Sequence, residues 1–110
     1  MEVETVRAHV MRTAWLIDTY GTKAARSEVA QCKVLAPNMA LEVLDRAIQF
    51  HGGTGVAHSK PLAEMYAYQR VSRIGEGADE VHREFVAKFE LARQRELRTR
   101  MQEPKNERAA

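Results

Sequence analysis

Ala40-Leu41-Glu42-Val43-Leu44-Asp45-Arg46-Ala47-Ile48-Gln49-Phe50-His51, followed at once by Gly52-Gly53-Thr54-Gly55, decides how the rest of the chain is read. Ala40, Val43, Leu44, Ala47 and Ile48 recur three or four apart, the period of one face of an α-helix and not of a strand. Charged residues fall between them, and Gly52 stops the run. A helix with one apolar stripe must bury it against another layer, so the neighbouring segments are the next thing to read.

They carry the same period. Upstream, Val3, Val6, Val10, Ala14 and Ile17 mark a first helix that Gly21 can end, with Trp15 and Leu16 broadening its apolar face. A second helical pattern runs from about Ala24 to His51. Pro37 falls inside it and predicts either a kink or two helices meeting there. Downstream, Pro61 suits the first turn of a short helix reaching to about Ser72. Gly75-Glu76-Gly77 breaks that helix, Asp79 is placed to cap the next, and Val81, Phe85 and Phe89 supply its stripe. Pro104 marks the latest point at which this last helix should end. No strand-like alternation and no internal repeat appears. The expected fold is all-α, an antiparallel helical bundle of three long helices with one shorter connecting helix. Residues 1–97 form the domain and 98–110 a charged tail.

Composition narrows the function. The chain has 110 residues, 45% hydrophobic and 29% charged, with a net charge of +2, which fits one globular domain. The basic residues gather in ARQRELRTRMQEPKNERAA, where Arg and Glu alternate at helical spacing as on a solvated helix. No aromatics interleave with them, so no nucleic-acid partner is expected. Cys32 is the only cysteine, which excludes an intramolecular disulfide and a CxxC site, and the apolar run VAQCKVLA predicts a buried thiol. His9, His51, His58 and His82 form no recognised ligand spacing, so no metal is expected. No apolar run is long enough to span a membrane, and no signal peptide is visible. Helical pattern from the first residues suggests a chain cut from something longer.

Two loops hold more glycine than turns need. In Gln49-Phe50-His51-Gly52-Gly53-Thr54-Gly55, one glycine suffices for a helix stop, and the surplus suggests close approach to the backbone. The loop follows a helix C-terminus, which disfavours a phosphate and leaves an uncharged heterocycle as the better ligand. A tight inter-helix turn remains the plainer reading. In Gly75-Glu76-Gly77, the glycines strip bulk from both sides of one carboxylate. Where a ligand excludes water, such a group suits general-base work; otherwise it is an exposed turn residue. Asp79 and Glu80 read as first-turn acids of the following helix. A helix of about a dozen residues separates the loops by roughly 15–20 Å, so they serve distant parts of one long ligand or two copies in an oligomer.

Taken together, DRAIQFHGGTGVAHSKPLAEMYAYQRVSRIGEGADEVHREFVAKFEL resembles the C-terminal helical domain of the acyl-CoA dehydrogenases. The Gln-x-x-Gly-Gly-x-Gly loop, the Pro-Leu-Ala-Glu-Met helix and the acid-Gly pair before a helix carry the likeness, and GTKAARSEVAQCKVLAPNMALEVLDRAI extends it. DEVH resembles a branch found in multi-domain dehydrogenases with an attached phosphotransferase-like region.

The resemblance implies an FAD-dependent enzyme that desaturates an acyl-CoA between its α and β carbons. Glu76 matches the catalytic base, although that branch often carries Asp there and Gly75 replaces a common aromatic residue. Gly77 would lie beside the substrate thioester. Gln49, Phe50, His51, Gly52 and Gly53 match the segment contacting the FAD of a neighbouring subunit, and Ala78 and Glu80 match further FAD contacts. A homo-oligomer, dimer or tetramer, follows, with electron-transfer flavoprotein as electron acceptor. A bacterial member would be cytoplasmic and a eukaryotic one mitochondrial or peroxisomal. The family's N-terminal and middle domains are missing from this chain, so alone it should neither hold FAD tightly nor turn over. The alternative is a non-catalytic helical module for interaction or oligomerisation.

Overall fold

The computed structural model describes residues 1–107, with side chains through Gln102. Helix α1 spans Glu2–Tyr20, α2 Arg26–His51, α3 Leu62–Val71 and α4 Asp79–Glu107, with a 3₁₀ helix at Gly52–Val56. The described residues contain no strand. Gly21 ends α1 at φ 83°, its N–H donating to the Ile17 carbonyl at 2.9 Å. Pro37 neither ends nor divides α2, which runs unbroken through it. Proline removes one N–H from the ladder. Beside the gap, Asn38 Nδ2 donates to the Val34 carbonyl at 2.7 Å. Nor does Pro104 end α4, which continues to Glu107; residues 108–110 of the charged tail lie outside the described residues. From Ala87 to Gln102 every residue is exposed, as a solvated helix requires.

Helix α2 is the axis of the molecule. α1, α3 and α4 each pack on it, and α1 packs on neither α3 nor α4. Glu2 pairs with Arg46, and Arg12 with Glu28, so α1 runs antiparallel to α2. The buried line of α2 is Ala30, Pro37 and Leu41. Against it, α1 turns Thr13, whose hydroxyl donates to the His9 carbonyl at 2.8 Å and lies 3.4 Å from Cys32 Sγ. Cys32 is thus half-buried at a helix seam instead of fully enclosed.

The anticipated stripes are covered only in part: Val6, Ile17, Ala40, Leu44, Ala47 and Ile48 are half-buried. Val3, Val10, Trp15, Val43, Val81, Phe85 and Phe89 are all exposed, and among the described residues the buried hydrophobic core is Ala25, Ala30 and Leu41. Three helices laid along one cannot cover the outer apolar faces of all four. The molecule is accordingly long, 76 × 26 × 26 Å, with a radius of gyration of 20.2 Å. A compact chain of this size would have about 13 Å.

Candidate active site

The α3–α4 connection is built by hydrogen bonds that unwind one helix and close a loop before the next. Ile74 and Gly75 N–H both donate to the Val71 carbonyl, at 2.9 and 2.8 Å. Asp79 N–H then reaches back to the Arg73 carbonyl at 3.1 Å. Glu76 sits at the centre of this loop with φ 56°, the left-handed region, and Gly77 follows at φ 102°. For a non-glycine residue this conformation costs roughly 1–2 kcal/mol, which the surroundings must hold in place.

Glu76 points away from the chain. Its side chain is 93% exposed, and Lys33 Nζ lies 3.7 Å from Oε2. No wall of this chain excludes water from the carboxylate. Two clefts meet there. One, about 380 Å³, is bounded by Arg26, Val29, Lys33, His82 and Phe85; the other, about 330 Å³, by Lys33, Tyr68, Val71 and Gly75. Lys33 and Glu76 belong to both. A ligand bridging the clefts would pass a single carboxylate flanked by a cation, which is a workable site for proton removal.

The two glycines beside Glu76 differ. A methyl group on Gly77 would stand 2.7 Å from His82 Nε2, so both its φ and its neighbour demand glycine. At Gly75 the added carbon would make only ordinary contact with Val71. His82 Nε2 is buried with no hydrogen-bond partner, pressed against Gly77.

Asp79 does not act as the cap of α4. Its buried carboxylate accepts from Arg73 Nε at 2.7 Å and from Asn38 Nδ2 at 2.9 Å, both on other elements. Ala78 takes the capping position instead, its carbonyl accepting from the Val81 and His82 N–H groups. A carboxylate reads the same in sequence whether it caps a helix or ties a loop. Burial alone would raise the Asp79 pKa, but the hydrogen bonds from Asn38 and Arg73 and the charges of Arg73 and Arg83 hold it below the ordinary value. Glu80 is exposed in the first turn of α4.

At the other end of α3, Gln49, Phe50 and His51 form the last turn of α2, exposed, with Phe50 90% so. His51 Nδ1 lies 2.9 Å from the Ala47 carbonyl. Gly52 is required by φ 58°, and Gly55 because an added carbon would meet the Ile48 carbonyl at 2.6 Å. Only Gly53 has open space and no unusual φ. The glycine surplus of this loop therefore reduces to Gly53. The backbone at Gly53 is open, and the Phe50 ring near it in sequence is exposed. The clefts at Glu76 include none of residues 49–53.

Sequence reasoning missed Arg26, Lys33 and Asn38, polar residues on a helix read for its apolar face, and Arg73 in the turn after α3. Among the described residues, no group of His, Cys, Asp and Glu is arranged to hold a metal, and no helix is long and apolar enough to cross a membrane.

An all-helical domain presenting one carboxylate on a left-handed turn finds its relatives among oxidoreductases. The family model described as acyl-CoA dehydrogenase, C-terminal domain, matches residues 1–91, and the chain belongs to the acyl-CoA dehydrogenase family. It is 48% identical over 100 residues to acyl-CoA dehydrogenase family member 11 of Rattus norvegicus, covering 90% of this chain and 13% of that protein. It is 45% identical over 94 residues to FadE2 of Mycobacterium tuberculosis, assigned as an acyl-CoA dehydrogenase, covering 86% of this chain and 23% of that protein. A solved structure assigned to an acyl-CoA dehydrogenase of Mycobacterium abscessus superposes with a TM-score of 0.82 at 46% identity, covering 84% of this chain and 23% of that one. The chain thus spans less than a quarter of each of these relatives. The family is generally FAD-dependent.

Proposed function

We propose that this chain supplies the catalytic base and part of the FAD site of an acyl-CoA α,β-desaturase. The observation that carries the reading is Glu76, held at φ 56° at the junction of two clefts with Lys33 Nζ 3.7 Å away. FAD, when bound, supplies the acceptor for the β-hydrogen and its electron pair. Glu76 takes the α-proton onto a carboxylate oxygen, and the electron pair of the broken α C–H bond becomes the second bond between the α and β carbons. Gly77 leaves room for the thioester beside the base. Gln49, Phe50, His51, Gly52 and Gly53 hold an FAD belonging to another copy, with Ala78 and Glu80 nearer the base. That division makes the working unit a homo-oligomer, and electron-transfer flavoprotein suits the role of acceptor.

The test is a chimera in which this chain replaces the matching 94 residues of Mycobacterium tuberculosis FadE2. Acyl-CoA should bleach its flavin, and Glu76→Gln should stop bleaching while leaving flavin bound. Bleaching by the Gln variant at the parent rate contradicts the assignment. A second reading, a non-catalytic interaction module, is favoured by the uncovered apolar residues Trp15, Phe50, Phe85 and Phe89. A parent chimera that binds flavin yet never bleaches would support it.

A further inference from the structure

We propose that Asp79, Arg73 and Asn38 form a clasp that positions Glu76 for proton abstraction, a role that rests on Glu76 being the base. Arg73 and Asp79 stand symmetrically in sequence about Glu76. Two bonds join them, Asp79 N–H to the Arg73 carbonyl at 3.1 Å and Arg73 Nε to Asp79 Oδ2 at 2.7 Å. The segment between them is therefore a closed ring with the base at its midpoint. Asn38 Nδ2, 2.9 Å from Asp79 Oδ2, fastens the ring to α2, and its bond to the Val34 carbonyl fixes Asn38 in turn. Lys33 projects from the same helix, so one scaffold sets both the base and its neighbouring cation.

The division of exposure shows where the rigidity lies. Asp79 is 3% exposed, whereas the Glu76 side chain is 93% exposed. Contacts of Glu76 itself cannot hold it in a left-handed conformation, which persists only where the surroundings over-determine it. The clasp provides that constraint. None of its three residues lines the clefts that meet at Glu76, so they are positioning residues acting through the backbone.

The test uses the same chimera. Arg73→Met and Asp79→Asn should each lower kcat about 10- to 100-fold, the cost of a base misplaced by about 1 Å, with KM and flavin content near their starting values. The double variant should be no worse than the more damaging single one, because both break one unit. Arg73→Lys, which keeps the charge, should recover part of kcat. On the 110-residue chain itself, Arg73→Met should accelerate amide hydrogen exchange at Asp79. Unchanged kcat in both single variants, where Glu76→Gln is inactive, overturns the clasp and leaves the base standing. Parallel loss of kcat, KM and flavin without recovery by Lys also overturns it, as does unchanged exchange at Asp79. Turnover by Glu76→Gln removes the base, and the positioning role falls with it.

Discussion

Asp79 and Gly77 show how single residues shape the loop around Glu76. The Asp79 pKa is depressed in the folded state. Below the unfolded value, near 3.9, the unfolded chain therefore binds more protons than the folded one. The stability contributed by the Asp79 carboxylate is present above that pH and is lost as pH falls through the lower folded value. Thermal midpoints measured from neutral pH to pH 2 should fall at the acid end, and less steeply in Asp79→Asn. Equal slopes contradict the clasp's share in stability. Gly77→Ala combines φ 102° with a 2.7 Å approach to His82 Nε2. It should destabilise by about 1–3 kcal/mol, read by chemical denaturation, whereas Gly75→Ala should cost well under half of that.

The helices divide cleanly into what punctuation fixes and what packing fixes. Gly21, Pro61 and the Gly75–Gly77 stretch were legible as boundaries because they act within a turn of their own position. Pro37 does not split α2 into two helices, since a long helix packed on three neighbours tolerates one lost backbone bond. The buried face was legible only in part: Val6, Ile17, Ala40, Leu44, Ala47 and Ile48 turn half inward. Val3, Val10, Val81, Phe85 and Phe89 carry the same apolar period yet stay exposed, while Thr13 and Asp79 are buried. Period reports that a face is to be covered, not what covers it. The candidate site was half legible. Glu76 stood out between its glycines, but Lys33, Asn38 and Arg73 come together only when α2 passes the loop. In the 3₁₀ element, Gly55→Ala should destabilise by about 1–3 kcal/mol through its clash with the Ile48 carbonyl. Gly53→Ala should leave the denaturation midpoint nearly unchanged and weaken flavin retention in the chimera. A large stability loss at Gly53 would show that its glycine serves the fold alone.

A molecule 76 Å long, with Ala25, Ala30 and Leu41 as the buried hydrophobic residues among those described, has surfaces that it cannot itself satisfy. Its sedimentation should depend on concentration, and FAD titrated into the chain alone should give no saturable fluorescence quench in the micromolar range. Tight binding by the isolated chain would contradict the division of the flavin site among segments and copies. The account stands most directly on the proton that Glu76 is assigned to remove. Solvent-deuterium exchange at the α-carbon of a bound acyl-CoA, followed in the chimera with and without Glu76→Gln, measures that step. The account predicts exchange in the parent and a loss of about 100- to 10,000-fold in the variant, with flavin content unchanged. Equal exchange in both would contradict it.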